Sequence, residues 1–431
     1  MKTFLLRSIV VVLVFSVLAV RGQEMLFADY PGLQDARVGF VVLDLKKQAL
    51  LCDRLGDDLF MPASNTKLFS TAFALEHLPA GFHWKTPVLL YGDTTLSGHF
   101  SGEVVFETFG DPSFSSFGYP FRKDPASFLW MLLQKHGISS FQGRIRLKEK
   151  VFYAQHLPPT WLLEDIREPW GAGVYATNFN DNTLWFSHDD LVACVWDTLG
   201  RGGSLVAEAD RDPRRTLLRY LSRALALSTV VFEQGEDGVY GEADSIPLVQ
   251  DTLRSVGLYD VVREINTESR NLWAEALLLE ATTPPGGVRD IVFSADTLAA
   301  FWRHRLGQHK IFFHDGSGMS PYNAVSPKAV VALLETMVAS PAFAPFLASL
   351  PKPGEGTLEE IALPLYGGHE VRMKSGSFTR VRCYSGYVLN DEGQVVYLFS
   401  LMANGFSASQ QEIRGEMVDF LQAYFDALLL P

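Results

Sequence analysis

Cysteine is nearly missing: Cys52, Cys194 and Cys383 are the only three in 431 residues. So sparse and odd a set makes no disulfide framework, and the three read as small buried hydrophobes, with at most one bridge whose members the sequence does not choose. The ten histidines contain no H-E-x-x-H pattern, and His304, His309 and His314, five apart, do not align as ligands on a helix. A zinc centre is therefore not expected, and the chemistry read below requires no metal or organic cofactor. Lys and Arg number 37 against 49 Asp and Glu, a net charge of -12, and they are scattered rather than gathered into a stripe. That argues against nucleic acid as a partner. Internal repeats and low-complexity tracts are lacking as well. With 47% apolar and 20% charged residues the chain is globular, able to bury a large core, and long enough for two or three domains.

A long hydrophobic run occurs once. Ser8 to Val20 follows the positive Lys2 and Arg7 and is followed by Gly22, which reads as an export signal over residues 1–22. The run is short for a bilayer span, although an uncleaved membrane anchor is the other reading of the same residues. No later segment reads as a membrane span.

Residues 38–45 and 48–52 predict a hairpin, and from Ser64 the apolar residues Leu68, Phe69, Ala72, Phe73, Leu75 and Leu78 predict a buried helix that ends near Pro79. Between about 86 and 240 come the strand-like runs Pro87–Tyr91, Gly102–Thr108, Arg144–Leu147 and Asn182–Ser187, with an amphipathic helix at Ala126–His136. This middle third reads as an inserted, mostly β region. Helices are expected over Leu248–Tyr259, Asn271–Ala281, Ser294–Leu306 and Lys328–Ala339. The chain closes with strands at Glu370–Lys374, Cys383–Leu389 and Val395–Met402, a turn at Asp391–Gly393, and a helix from about Gln410 to Leu429.

Three short motifs carry the candidate chemistry: Ser64-Asn65-Thr66-Lys67, Ser269-Arg270-Asn271 and Lys374-Ser375-Gly376. On a helix, positions i and i+3 share a face, so Ser64 and Lys67 bring a hydroxyl towards an amine. A helix start also offers free N–H groups and a positive dipole end to an oxyanion. Lysine in so apolar a helix must be paired or neutralised, and desolvation lowers its pKa toward the range in which an amine accepts the proton of Ser64. Ser269 and Asn271, at i and i+2, belong on the loop before a helix, where Ser269 can relay a proton to a leaving group and Asn271 can hold a substrate amide and Lys67. Lys374 offers a charge to a substrate carboxylate, and the small residues after it let a substrate backbone approach a strand edge. Each motif alone reads as a helix cap or a turn rather than as chemistry. Their ordered occurrence on suitable elements favours the chemical reading. Asp315 and Asn323, in a Gly-Ser-Pro-rich loop, read as turn formers that also border such a site.

The trio S-x-x-K, S-D-N and K-T-G marks class A β-lactamases and penicillin-binding proteins. In it, and in further pieces kept in one order, the sequence resembles the low-molecular-mass class C penicillin-binding proteins of type four, D-alanyl-D-alanine carboxypeptidase/endopeptidases of the periplasm. Those pieces are Phe60-Met61-Pro62-Ala63, Gly110-Asp111-Pro112, Tyr175, Phe179-Asn180-Asp181-Asn182, Ser245-Ile246-Pro247-Leu248, Asn266, Asp315 to Ser320, Pro321, Val325-Ser326-Pro327 and Gly356-Thr357-Leu358.

The resemblance implies a mixed α/β fold. A transpeptidase-like domain, an antiparallel sheet with helices on both faces, would take 23–85 and 250–431, split by an inserted region of one or two small domains at 86–249. The roughly 200 positions between Lys67 and Ser269 fit that insertion. It further implies an oxyanion hole from the N–H groups of Ser64 and Ser377, peptidoglycan stem peptides as substrate and β-lactam antibiotics as covalent inhibitors. Two residues depart from the pattern: Ser375 stands where Thr is usual, and Arg270 fills the middle of the second motif. No E-x-x-L-N run supplies the deacylating glutamate of class A β-lactamases, so a penicilloyl enzyme is expected to hydrolyse slowly. The rival readings are a β-lactamase or esterase and a catalytically silent protein that binds peptidoglycan or a partner.

Overall fold

The computed structural model describes residues 27–116, 119, 124–187, 205–225, 246–307 and 309–430. The export signal at 1–22, Cys194 and Ser245 lie outside them. The chain divides into two compact units: one holds the described residues up to Thr66 with Phe301–Phe312 and those from Asn323 on, the other Lys67–Ala300 with Phe313–Tyr322.

The first unit is built on a five-stranded sheet in the order β11-β12-β13-β1-β2. Its strands are β1 (Arg37–Asp44), β2 (Ala49–Arg54), β11 (Glu370–Phe378), β12 (Val381–Leu389) and β13 (Val395–Asn404), each antiparallel to its neighbour. Every residue of β1 after Arg37 is buried, as expected of a central strand covered on both faces. Phe40 and Val42 turn to one face and pack with Ile413, Met417, Phe420, Leu421 and Phe425 of the closing helix α10 (Gln410–Leu429), whose start carries a capping box of Ser409 and Glu412. Helix α8 (Pro327–Val338) covers the other face: Pro327 lies against Gly39, and Tyr387 of β12 donates its hydroxyl proton to the Leu334 carbonyl at 2.8 Å. Each fully buried aromatic or aliphatic side chain here contributes about 1.5–3 kcal/mol. The same unit holds the short helices α1 (Pro31–Gln34) and α9 (Phe343–Ser349) and the strand pair β9 (Ile311–Phe312) and β10 (Ala324–Val325).

The second unit holds a four-stranded sheet, β5-β4-β3-β8, from β3 (Lys85–Thr94), β4 (His99–Thr108), β5 (Ser140–Glu149) and β8 (Val249–Arg254). Strands β4 and β5 run parallel, joined through helix α3 (Pro125–Lys135). Val88, Leu90, Phe100, Val104, Phe106 and Ile145 of the sheet pack with Leu129, Leu132 and Leu133 of α3 and with Leu217, Leu218 and Leu221 of α4 (Pro213–Ala224). Strands β6 (Thr183–Ser187) and β7 (Leu205–Ala209) pair separately. Three further helices run mainly in this unit: α2 (Thr66–His77), α5 (Leu258–Thr267) and α6 (Asn271–Thr282); α7 covers Ile291–Leu306.

The helix expected over Leu248–Tyr259 is not formed. Val249–Arg254 is instead the edge strand β8, antiparallel to β3, and α5 starts only at Leu258. The four-residue spacing of buried Val249 and Leu253 fits either period, and pairing with β3 decides in favour of the strand.

Candidate active site

Within the first unit, the segment entering the first motif is pinned on both sides. Phe60 exchanges backbone hydrogen bonds with Val325 at 3.0 and 2.9 Å, and Met61 exchanges two with the Asn404 side chain. Ala63 follows at φ 46, a left-handed conformation that a residue with a Cβ adopts at a cost. Ser64 stands in a tight 3-10 turn, Ala63–Asn65, which runs directly into α2. Asn65 is buried and donates to Ser385 Oγ at 2.8 Å, which in turn donates to Ser400 Oγ at 2.9 Å, so the turn is tied to β12 and β13.

The third motif lies inside β11 rather than at its end, the strand running on to Phe378. Because β11 is an edge strand, one side of its backbone is unpaired within the sheet. Gly376 passes so close to the serine turn that a Cβ there would meet the Pro62 carbonyl oxygen at 2.7 Å and the Ser64 nitrogen at 3.2 Å. Lys374 is buried and donates to the Ser375 carbonyl at 2.8 Å. Ser375 Oγ donates to Thr357 Oγ1 at 2.8 Å, and the exposed Ser377 directs its hydroxyl to Gln410, 3.3 Å away. Asn323 is buried in the same unit.

Within the second unit, Lys67 is fully buried on α2. Its Nζ donates to Asn271 Oδ1 and to the Ser317 carbonyl, each at 2.6 Å. Burial drives the amine down to about 7, against the pull of Asp315 and Glu275, whose charges favour the ammonium. At neutral pH such an amine exists in both forms, as a general base requires.

The second motif precedes α6 as expected. Ser269 is held in the left-handed region at φ 59, and Asn271 is the first residue of the helix. Arg270 is turned away into its own unit: it donates to Glu264 at 2.9 Å, its guanidinium lies 3.7 Å from Asp181 and it stacks over Trp273. Asp181 also accepts from Trp273 Nε1 at 3.0 Å and from Ser116 Oγ. Asn271 Nδ2 donates to the Trp170 carbonyl, so both ends of its amide are engaged.

Asp315 is more than a turn former. Its buried carboxylate accepts from Trp161 Nε1 at 2.8 Å and from the Gly318 and Ser320 amides. Sequence reasoning missed Glu275, one turn past Asn271, whose carboxylate accepts from the Gly316 and Ser317 amides. A carboxylate in the apolar run Leu272 to Leu279 was the available signal, since an acid buried there must find donors. Burial and the neighbouring Asp315 charge raise the pKa of Glu275. Among the described residues no cluster of His, Cys, Asp and Glu is arranged to hold a metal ion, and no helix is long and apolar enough to cross a membrane. Cys52 and Cys383 are free thiols.

Comparison with known proteins agrees with this architecture. The family model described as D-Ala-D-Ala carboxypeptidase 3 (S13) matches residues 23–190 and 206–424. The D-alanyl-D-alanine carboxypeptidase DacB of Haemophilus influenzae is 22% identical, over 90% of this chain and 90% of its own length. The D-alanyl-D-alanine carboxypeptidase of Actinomadura sp. strain R39 is 25% identical, over 88% of this chain and 79% of its own. Among solved structures, penicillin binding protein 4 of H. influenzae superposes with a TM-score of 0.72 at 17% identity, covering 94% of this chain and 98% of that one. A predatory peptidoglycan endopeptidase of Bdellovibrio bacteriovorus superposes at 0.55 and 16% identity, covering 91% and 93%. The family model spans nearly all of the sequence after the first 22 residues, and the chain belongs to the D-Ala-D-Ala carboxypeptidase 3 (S13) family.

Proposed function

We propose that this protein is an exported serine peptidase that cleaves the terminal D-Ala-D-Ala bond of peptidoglycan stem peptides, and D-Ala to diamino-acid cross-links, through an acyl-enzyme on Ser64. The observation that carries it is the buried Lys67 amine, held by Asn271 and the Ser317 carbonyl and poised near neutral pH, three positions after a serine on one helical segment. Lys67 takes the Ser64 proton, the hydroxyl oxygen attacks the carbonyl carbon, and the tetrahedral oxyanion is met by the Ser64 and Ser377 N–H groups. Ser269 passes a proton to the departing D-alanine or cross-link amine, and water then hydrolyses the ester. Asn271 orients the amine and the substrate amide, Lys374 and Ser375 receive the terminal carboxylate, and Gly376 admits the substrate backbone beside β11.

The S13 membership and the carboxypeptidase relatives support the reaction class, and the endopeptidase structure supports including cross-links. A β-lactam acylates the same serine; one H. influenzae relative was solved with such a compound. The signal-like residues 1–22 and the substrate's location support the periplasm as the site of action. Incubation of the purified protein with a stem pentapeptide ending in D-Ala-D-Ala is expected to release one equivalent of D-alanine, and Ser64→Ala to release none. Release by Ser64→Ala at the wild-type rate would refute the assignment.

A further inference from the structure

The Lys67 amine donates to the carbonyl ends of two planar amides, and each amide is gripped at its N–H end. The first is the Asn271 side chain, whose Oδ1 meets the amine at 2.6 Å while its Nδ2 donates to the Trp170 carbonyl at 2.9 Å. The second is the peptide joining Ser317 to Gly318. Its carbonyl meets the amine at 2.6 Å, and its N–H, that of Gly318, donates to Asp315 Oδ1 at 2.9 Å. A peptide is planar and trans, so fixing the direction of its N–H fixes that of its C=O. Asp315 is itself fully buried, and its other oxygen accepts from the Ser320 amide at 2.6 Å and from Trp161 Nε1 at 2.8 Å. Hydrogen bonds to a carboxylate are among the stronger ones, about 1.5–3 kcal/mol each.

The Trp161 and Trp170 holds come from one short loop, in the stretch read from the sequence as an insertion. The loop closes on itself: the Asp165 amide donates to the Leu162 carbonyl at 3.1 Å, Glu168 to Asp165 at 3.0 Å and Gly171 to Glu168 at 2.9 Å. Gly171 packs so near that a Cβ there would meet the Asp165 carbonyl oxygen at 2.0 Å. A neutral amine carries two N–H groups and one lone pair around its Cε–Nζ bond. Two fixed acceptors therefore fix the direction of the lone pair, which receives the nucleophile's proton.

We propose that the loop from Trp161 to Gly171 is a positioning element for the Lys67 amine, aiming its lone pair by holding Asn271 through the Trp170 carbonyl and Ser317 through Trp161 and Asp315. The proposal rests on the function read above, in which Lys67 is the base, and it gives this part of the middle third a share in catalysis.

The test is acylation of the full chain by a penicillin at a series of concentrations, followed by intact mass. It reads separately the rate at saturation, the half-saturating concentration and the final fraction labelled. Trp161→Phe keeps an aromatic ring in the site and removes the N–H donor. Its saturating rate is expected to fall about ten-fold, with the half-saturating concentration and the final labelled fraction unchanged. Should Trp161→Phe fail to fold, benzothienylalanine at that position, which replaces only the indole N–H by sulfur, is expected to give the same fall. A wild-type saturating rate in the folded variant, or a loss confined to the half-saturating concentration or to the labelled fraction, overturns the role alone. A wild type that takes no label overturns the function and this role with it.

Discussion

Gly376→Ala tests how tightly the third motif is fitted against the serine turn. The added methyl carbon would stand 2.7 Å from the Pro62 carbonyl oxygen, 3.2 Å from the Ser64 nitrogen and 3.3 Å from the Ala63 Cβ. Reaching an ordinary contact of 3.4 Å requires a displacement of about 0.7 Å at Pro62. Nothing flexible is there to yield, because the atoms met are mostly backbone, and the turn is tied down by Asn65 to Ser385 and by Met61 to Asn404. Overpacking of this kind costs about 1–3 kcal/mol. Misplacement by about 1 Å costs a reaction about a hundred-fold in rate, so 0.7 Å at the nucleophile predicts a fall of roughly ten- to a hundred-fold. The assay pairs the second-order rate of acylation by a fluorescent penicillin with chemical denaturation of the same preparation. Acylation should fall by much more than stability. A variant with the wild-type rate and unchanged stability would refute the close fit of β11 to the Ser64 turn.

Lys67→Ala is expected to fold and to lose about 10²–10⁴-fold in acylation rate; normal labelling would remove Lys67 from the mechanism. Wild-type acylation should rise with pH through about 7, because the reactive amine is the neutral form and burial has lowered its pKa that far. A rate flat from about pH 5 to 9 would contradict an ionising base. Trp161→Phe leaves the buried Asp315 carboxylate without its indole donor and should lower unfolding free energy by about 1–3 kcal/mol, read by denaturant titration; an unchanged midpoint would show the bond to be dispensable. Ser375→Thr keeps the hydroxyl and adds a methyl beside Thr357. It should retain penicillin acylation while changing the ratio of rates on pentapeptide and cross-linked substrates, and an unchanged ratio would rule out Ser375 as a determinant of preference.

Most of the fold could be read from the sequence because hydrophobic period and turn chemistry agree locally. The hairpin of β1 and β2, the strands β11 to β13 and the closing helix from Gln410 to Leu429 are of this kind. Leu248–Tyr259 misled because Val249 and Leu253 are buried four residues apart in a strand whose partner, β3, is more than 150 positions earlier. A single sequence carries no trace of that pairing. The meeting of Lys67 with Asn271 was expected from the buried lysine and the motif order. The roles of Arg270 and Glu275 were not, since each depends on partners contributed by distant segments, Asp181 and Glu264 for the arginine and the Gly316 and Ser317 amides for the glutamate. Backbone strain at Ala63 and Ser269 was equally invisible, because neither is glycine and only the surrounding contacts hold them in the left-handed region.

The central claim is that Ser64 is the nucleophile. Its most direct test is peptide mapping by mass spectrometry of the purified protein after exposure to a penicillin, beside Ser64→Ala. A single penicilloyl adduct on the peptide containing Ser64, long-lived and absent from the variant, is the predicted result. No adduct on the folded wild type, or an adduct that persists in Ser64→Ala, would contradict it.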